Sequence, residues 1–199
     1  MTRTISRIAI VISSVLLMSC ATNIHSSRLT NPPPSAKFSS FSRFELKPVE
    51  LSPTYSHHGA NLKATAKIQE YFDSRVKPII SRWNEKGGPA DNTLLIEPRI
   101  EQIKFIGVGA RIFAGPMAGS SAVVMKVRYI DKSNGKIIAE PEFYQRAAAM
   151  SGAFTFGGQD NAMLARITTL VADYNTRNYD QRVGGETGAP HEGEEASYN

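Results

Sequence analysis

A chain of 199 residues, 41% of them hydrophobic, with a formal charge of +5 and one cysteine has the length for one ordinary domain with its own core. A lone cysteine, Cys20, excludes an internal disulfide and a metal site built on several thiolates, so the fold must rely on packing. The charge is uneven: 20 basic and 13 acidic residues lie between Cys20 and Tyr179, whereas the stretch from Asp180 holds five acids and one base, Arg182.

The first nineteen residues read as a secretory signal. Arg3 and Arg7 make a positive start, Ile8 to Met18 an apolar run, and Ser19 a small residue before Cys20. That run is shorter than the roughly 20 residues needed to cross a hydrocarbon core. Leu17-Met18-Ser19-Cys20 is the pattern of a bacterial lipoprotein, with cleavage between Ser19 and Cys20 and a lipid on the Cys20 thiol. Ala21 stands where aspartate would retain such a protein in the inner membrane, which points to the outer membrane with the domain facing the periplasm. Acyl chains contribute about 0.8 kcal/mol per buried methylene, so two or three of them anchor stably.

Residues 20–40, rich in serine, asparagine and proline with Pro32, Pro33 and Pro34 in a row, read as a flexible tether. The expected domain occupies residues 41–179. Phe44 and Leu46 alternate with Arg43, Glu45 and Lys47, a strand interrupted at Pro48 and resumed by Val49 and Leu51. Ile68, Phe72, Val76, Ile79, Ile80 and Trp83 form the apolar stripe of a helix, which Pro78 should kink or divide. Thr93 to Ile106 reads as a long strand whose apolar parity changes near Glu101 or Gln102, the sign of a bulge. Val123, Met125, Val127 and Tyr129 line one face of the next strand. Asn134-Gly135 then marks a hairpin, and the return strand carries Ile137, Ala139 and Phe143, with Pro141 placing it at an edge. Asp160 is the expected N-cap of a last helix with a stripe at Met163, Ile167, Leu170, Val171 and Tyr174. Residues 180–199 read as a disordered acidic tail. The order strand, helix, three strands, helix predicts an α+β fold: a small, mainly antiparallel sheet with helices on one face.

Motifs for chemistry are sparse. Gly107-Val108-Gly109 begins like a dinucleotide fingerprint, but Ile112 stands at the third glycine position, and Gly115 to Ser121 lacks the lysine of a phosphate loop. Adjacent His57 and His58 point apart and make a poor chelate. No metal and no cofactor is expected. Glu140 and Glu142 share a strand parity, which would suit acid and base work or plain solvated edge charge.

The motifs Leu95-Ile96-Glu97-Pro98-Arg99-Ile100, Gly109-Ala110-Arg111-Ile112-Phe113-Ala114-Gly115, Ala118-Gly119-Ser120-Ser121-Ala122-Val123-Val124, and Asp131 with Gly135-Lys136-Ile137-Ile138-Ala139 resemble the bacterial domain-of-unknown-function forty-four-ten family. The element order is similar to the amino-terminal domain of TolB-like envelope proteins. The resemblance implies an envelope lipoprotein and carries no catalytic residue with it.

The reading that follows is a non-enzymatic binding or accessory module on the cell envelope. Its partner would be another envelope protein or an anionic envelope component, reached through the loop bearing Gly107, Gly109, Arg111, Gly115 and Gly119 or through edges near Pro48 and Pro141. Nucleic acid is no candidate, because no basic run is interleaved with aromatics. The alternatives are an envelope hydrolase gathering Glu140, Glu142 and the histidines in one pocket, and an auxiliary subunit for lipid or polymer export.

Overall fold

The computed structural model describes residues 24–89, 92–106, 120–147 and 158–190. Six strands form one twisted sheet: β2 (Arg43–Leu46), β3 (Glu50–Leu51), β4 (Thr93–Lys104), β5 (Ser121–Asp131), β6 (Ile137–Ala139) and β7 (Glu142–Ala147). β4 and β5 are its long antiparallel spine. β6 and β7 pair antiparallel on the outside of β5, while β2 and β3 pair parallel on the outside of β4. Two short strands, β1 (Thr30–Asn31) and β8 (Gly185–Glu186), make a separate antiparallel pair.

Three helices cover one face: α1 (Gly59–Arg75), α2 (Lys77–Glu85) and α3 (Gly158–Tyr179). The α+β architecture with helices on one face of a mainly antiparallel sheet is the one expected from the element order. Pro78 accounts for the division between α1 and α2. It sits in the first turn of α2, where a missing N–H costs nothing, and Val76 at the junction is wholly buried. The expected bulge also lies where the parity changes, since the β4–β5 register slips between Ile100 and Gln102. The extra residue keeps Ile96, Ile100 and Ile103 all on the helix side.

The core holds a ladder of aromatics. Phe38 stacks on Tyr129 at 4.6 Å between centroids, and Trp83 stacks on Tyr179 at 4.6 Å with Phe44 tilted against it at 4.9 Å. Tyr129 donates a 2.7 Å hydrogen bond to Asn175 Oδ1, both side chains being fully enclosed. Burial pushes the Tyr129 hydroxyl pKa well above its ordinary value, so it stays a neutral donor.

Four expectations are corrected. Residues 24–40 are not a tether where they are described: Ile24, Asn31 and Phe38 are buried, and Phe38 lies at the centre of the core. The proline run is held by its carbonyls, with Tyr174 Oη donating to Pro32 O at 3.2 Å and Arg182 Nε to Pro34 O at 2.7 Å. The stretch 180–190 is likewise packed, through β8 and the wholly buried Thr187. Composition misjudged both ends because a few aromatic anchors and many polar contacts, rather than total apolar area, fix them. On the return strand, Ile138 and Phe143 enter the core and Ile137 is 48% exposed. The break at Glu140–Pro141 shifts the alternation by one residue. Asp160, expected as an N-cap, lies buried within the first turn of α3, which begins at Gly158.

Candidate functional site

Ser19 and Cys20 lie outside the described residues, as do Gly107, Gly109, Arg111, Gly115 and Gly119. The flanks of that glycine-rich connection are described. Ile106 N donates to Ser121 Oγ at 3.0 Å, so the chain leaves β4 and enters β5 at one end of the sheet. The opposite end carries the Asp131–Gly135 hairpin. There Gly135 adopts a positive φ of 73° and donates to Asp131 O at 2.8 Å, while Asp131 Oδ1 accepts from Ser133 N and Oγ at 3.0 and 2.6 Å.

The face away from the helices has two zones. Near the start of β5 a small apolar cluster of Ile24, Ala122, Val124 and Tyr144, with Ala189 against it, is covered by the first and last described segments. Further along β4 and β5 the face is charged, and a groove of about 480 Å³ opens among Lys47, Arg99, Lys126 and Arg128 on one hand and Glu50, Glu97, Glu101 and Glu140 on the other. Equal numbers of each sign leave it without net charge. Arg128 lies 3.7 Å from Glu97 and 3.9 Å from Glu140, and Arg99 lies 3.6 Å from Glu101. Beside it, hydrogen bonds from Lys132 and Lys47 hold the Glu45 carboxyl at about 2. These pairs are solvated, so each adds little to stability. As a surface they alternate in sign over short distances.

The two carboxylates expected to share a face have different environments. Glu140 is exposed at the rim of the groove. Glu142 is only 3% exposed, and its carboxylate accepts hydrogen bonds from Ser27 N at 2.6 Å, Ser26 Oγ at 2.9 Å and Ser27 Oγ at 3.0 Å. Burial opposes its ionisation, but the backbone N–H of Ser27 and the two hydroxyls outweigh this and hold its pKa below the ordinary carboxylate value. Glu142 is therefore neither solvated edge charge nor an acid facing a pocket. It fastens the N-terminal segment to the domain.

His57 and His58 are exposed where the chain enters α1, and His25 is exposed on the N-terminal segment. The groove that Glu140 lines holds no histidine, and the recess that His25 lines holds neither Glu140 nor Glu142. Among the described residues no group of three or more His, Cys, Asp or Glu could hold a metal ion, and no helix is long and apolar enough to cross a membrane.

The edges expected near Pro48 and Pro141 to accept a partner strand are already occupied. On the β2 side, Asn84 of α2 accepts from Phe44 N at 2.8 Å and donates to Phe44 O at 2.9 Å. Gln69 of α1 accepts from Val49 N at 2.8 Å. On the β7 side, Asn31 accepts from Glu142 N and donates to Glu142 O, both at 2.8 Å, and Tyr144 N donates to Thr187 O at 2.8 Å. A single carboxamide thus supplies the donor and acceptor a neighbouring strand would bring, and strand addition is blocked at those residues. Asn31 and Thr187 lie in stretches read as tether and tail. The only sequence signal for them is the short β-forming run Leu29-Thr30 before Asn31.

No family model matches the chain, and no curated protein matches it. Among solved structures, the PelC dodecamer from Paraburkholderia phytofirmans is 14% identical, over 70% of this chain and 92% of that one, with a TM-score of 0.32. A candidate lipoprotein from Caulobacter crescentus is 15% identical over 67% and 88%, TM-score 0.34. A Xanthomonas campestris protein of the DUF330 family is 10% identical over 78% and 95%, TM-score 0.42. At these scores the likeness is too loose to carry a fold or a function over.

Proposed function

We propose that the protein is a lipid-anchored envelope lipoprotein of the outer membrane, acting as a non-enzymatic binding or accessory module. The observation that carries this reading is the continuity between anchor and domain. The signal pattern ends at Cys20, and from Ile24 onward the chain is already packed onto the sheet. A chain built this way presents a rigid body directly at a surface. The groove of paired, sign-alternating charges supports a binding role. Of the surfaces described, the sign-alternating groove over Lys126 and Arg128 suits a protein partner of complementary charge.

The test compares wild type with Cys20→Ala. Wild type should fractionate with membranes and give a mature N-terminus beginning at acylated Cys20 by mass spectrometry, whereas Cys20→Ala should leave the membrane fraction. Persistence of Cys20→Ala on the membrane overturns the anchor. Cross-linking in intact cells should capture a defined partner whose yield falls with Lys126→Glu and Arg128→Glu together. Capture of abundant bystanders alone, unaffected by these changes, overturns the binding reading.

A further inference from the structure

We propose that the domain is held in one orientation, with the sheet end where β4 runs out and β5 begins against the bilayer and the Asp131–Gly135 hairpin pointing away from it. This rests on lipidation of Cys20 and goes beyond it, because a lipid anchor alone leaves orientation free.

The length of the link decides the matter. Cys20 and Ile24 are four residues apart, a span of at most about 14 Å even when fully extended. Ile24 is fixed on Ala122, Val124 and Tyr144, at the first residues of β5. From Val124 the strand runs seven more residues to Asp131, and at roughly 3.3 Å per residue that carries the chain about 23 Å to the hairpin. The link is shorter than that, so the two ends of the sheet cannot exchange places at the membrane. The fastening does not slip, because Ser26 and Ser27 are bonded to Glu142, Asn31 to Glu142 backbone, and Thr187 N to Leu29 O at 3.1 Å.

The surface this presents to lipid is a recess of about 250 Å³ whose lining includes His25, Arg28, Leu29, Tyr144 and Pro190. His25 and Arg28 are exposed, and Leu29 is 45% exposed. One guanidinium, Arg28, beside one aliphatic side chain, Leu29, is compatible with a headgroup layer. The orientation is set by the link rather than by charge, and any bilayer that accepts the acyl chains is an adequate occupant.

The test uses full-length acylated protein in phosphatidylcholine vesicles carrying a headgroup-attached fluorescence quencher. The thiol of Cys20 is consumed by the lipid, so one introduced cysteine takes the label uniquely. His25→Cys reports on the near end and Lys136→Cys on the far end. Arg28→Cys and Ile137→Cys form a second pair in case one label disturbs its site. The near labels should be quenched several-fold more strongly than the far ones, with the ratio unchanged by added salt. Equal quenching at both ends, or a ratio that salt abolishes, overturns the proposal. Mass analysis of the same samples keeps the two readings apart: a chain without acyl groups refutes the anchor, whereas an acylated chain with equal quenching refutes the orientation alone.

Discussion

Replacing Asn31 by alanine measures how firmly the N-terminal segment belongs to the domain. Asn31 is 4% exposed, and its carboxamide accepts from Glu142 N and donates to Glu142 O, both at 2.8 Å. Alanine strands both backbone groups in a place water reaches poorly. Each buried unsatisfied group costs about 1–3 kcal/mol, so the expected loss for the two is about 2–6 kcal/mol. Asn84 makes the same paired contact with Phe44 from an exposed position, and there water replaces the lost partner, giving a loss of about 1 kcal/mol. Two substitutions that remove the same paired contact thus differ chiefly in burial. Urea unfolding of the chain from Ala21 onward, followed by tryptophan fluorescence of Trp83, gives both values by linear extrapolation. If Asn84→Ala costs as much as Asn31→Ala, or if Asn31→Ala costs under about 1 kcal/mol, the segment is not an integral part of the fold.

Acid should loosen the same segment. The folded-state pKa of Glu142 is lowered, so its contribution is present above the unfolded value of about 4.3 and is lost as pH falls through the folded one. Hydrogen exchange at the Ser27 amide should therefore accelerate on acidification beyond its intrinsic pH trend in wild type but not in Glu142→Gln. Tyr129→Phe removes the donor to Asn175 Oδ1 in a site where Asn175 Nδ2 already has no partner. A loss of about 1–3 kcal/mol in urea unfolding is expected, and adding Asn175→Leu should recover part of it. Gly184 has φ +72°, and a Cβ there would lie 2.2 Å from Asn31 O. Gly184→Ala should cost more than about 1 kcal/mol, read as a lowered thermal midpoint.

Much of the sheet and its helices was legible from periodicity. The bulge at Glu101 follows from Ile100 and Ile103 falling on opposite parities, and the helix division from Pro78, because one buried face must stay continuous. What escaped was held by side-chain amides and hydroxyls. Asn31, Thr187 and the pair Ser26-Ser27 look like solvated linker residues, and nothing local distinguishes a serine that finds a buried carboxylate from one that finds water. Phe38 and Phe41, six and three residues before Phe44, were the readable hint that the core reaches into the proline-rich stretch. Glu142 was read with Glu140 as an acid–base pair or as solvated edge charge, and its burial against Ser26 and Ser27 fits neither. Parity identifies its face but says nothing of a segment 115 residues away that covers it.

The closure of the two chain ends also dictates the order of events as the polypeptide emerges. Ser27 waits for an acceptor 115 residues later, and Leu29 O waits 158 residues for Thr187. Loops of that length close only after nearly the whole chain is available. A partly synthesised or partly threaded chain therefore lacks its last elements and keeps its beginning loose. Any enzyme that acts at Cys20 before Thr187 has arrived meets an open, accessible N-terminus, and the arrival of the last strand then locks the segment beside that modified residue in place.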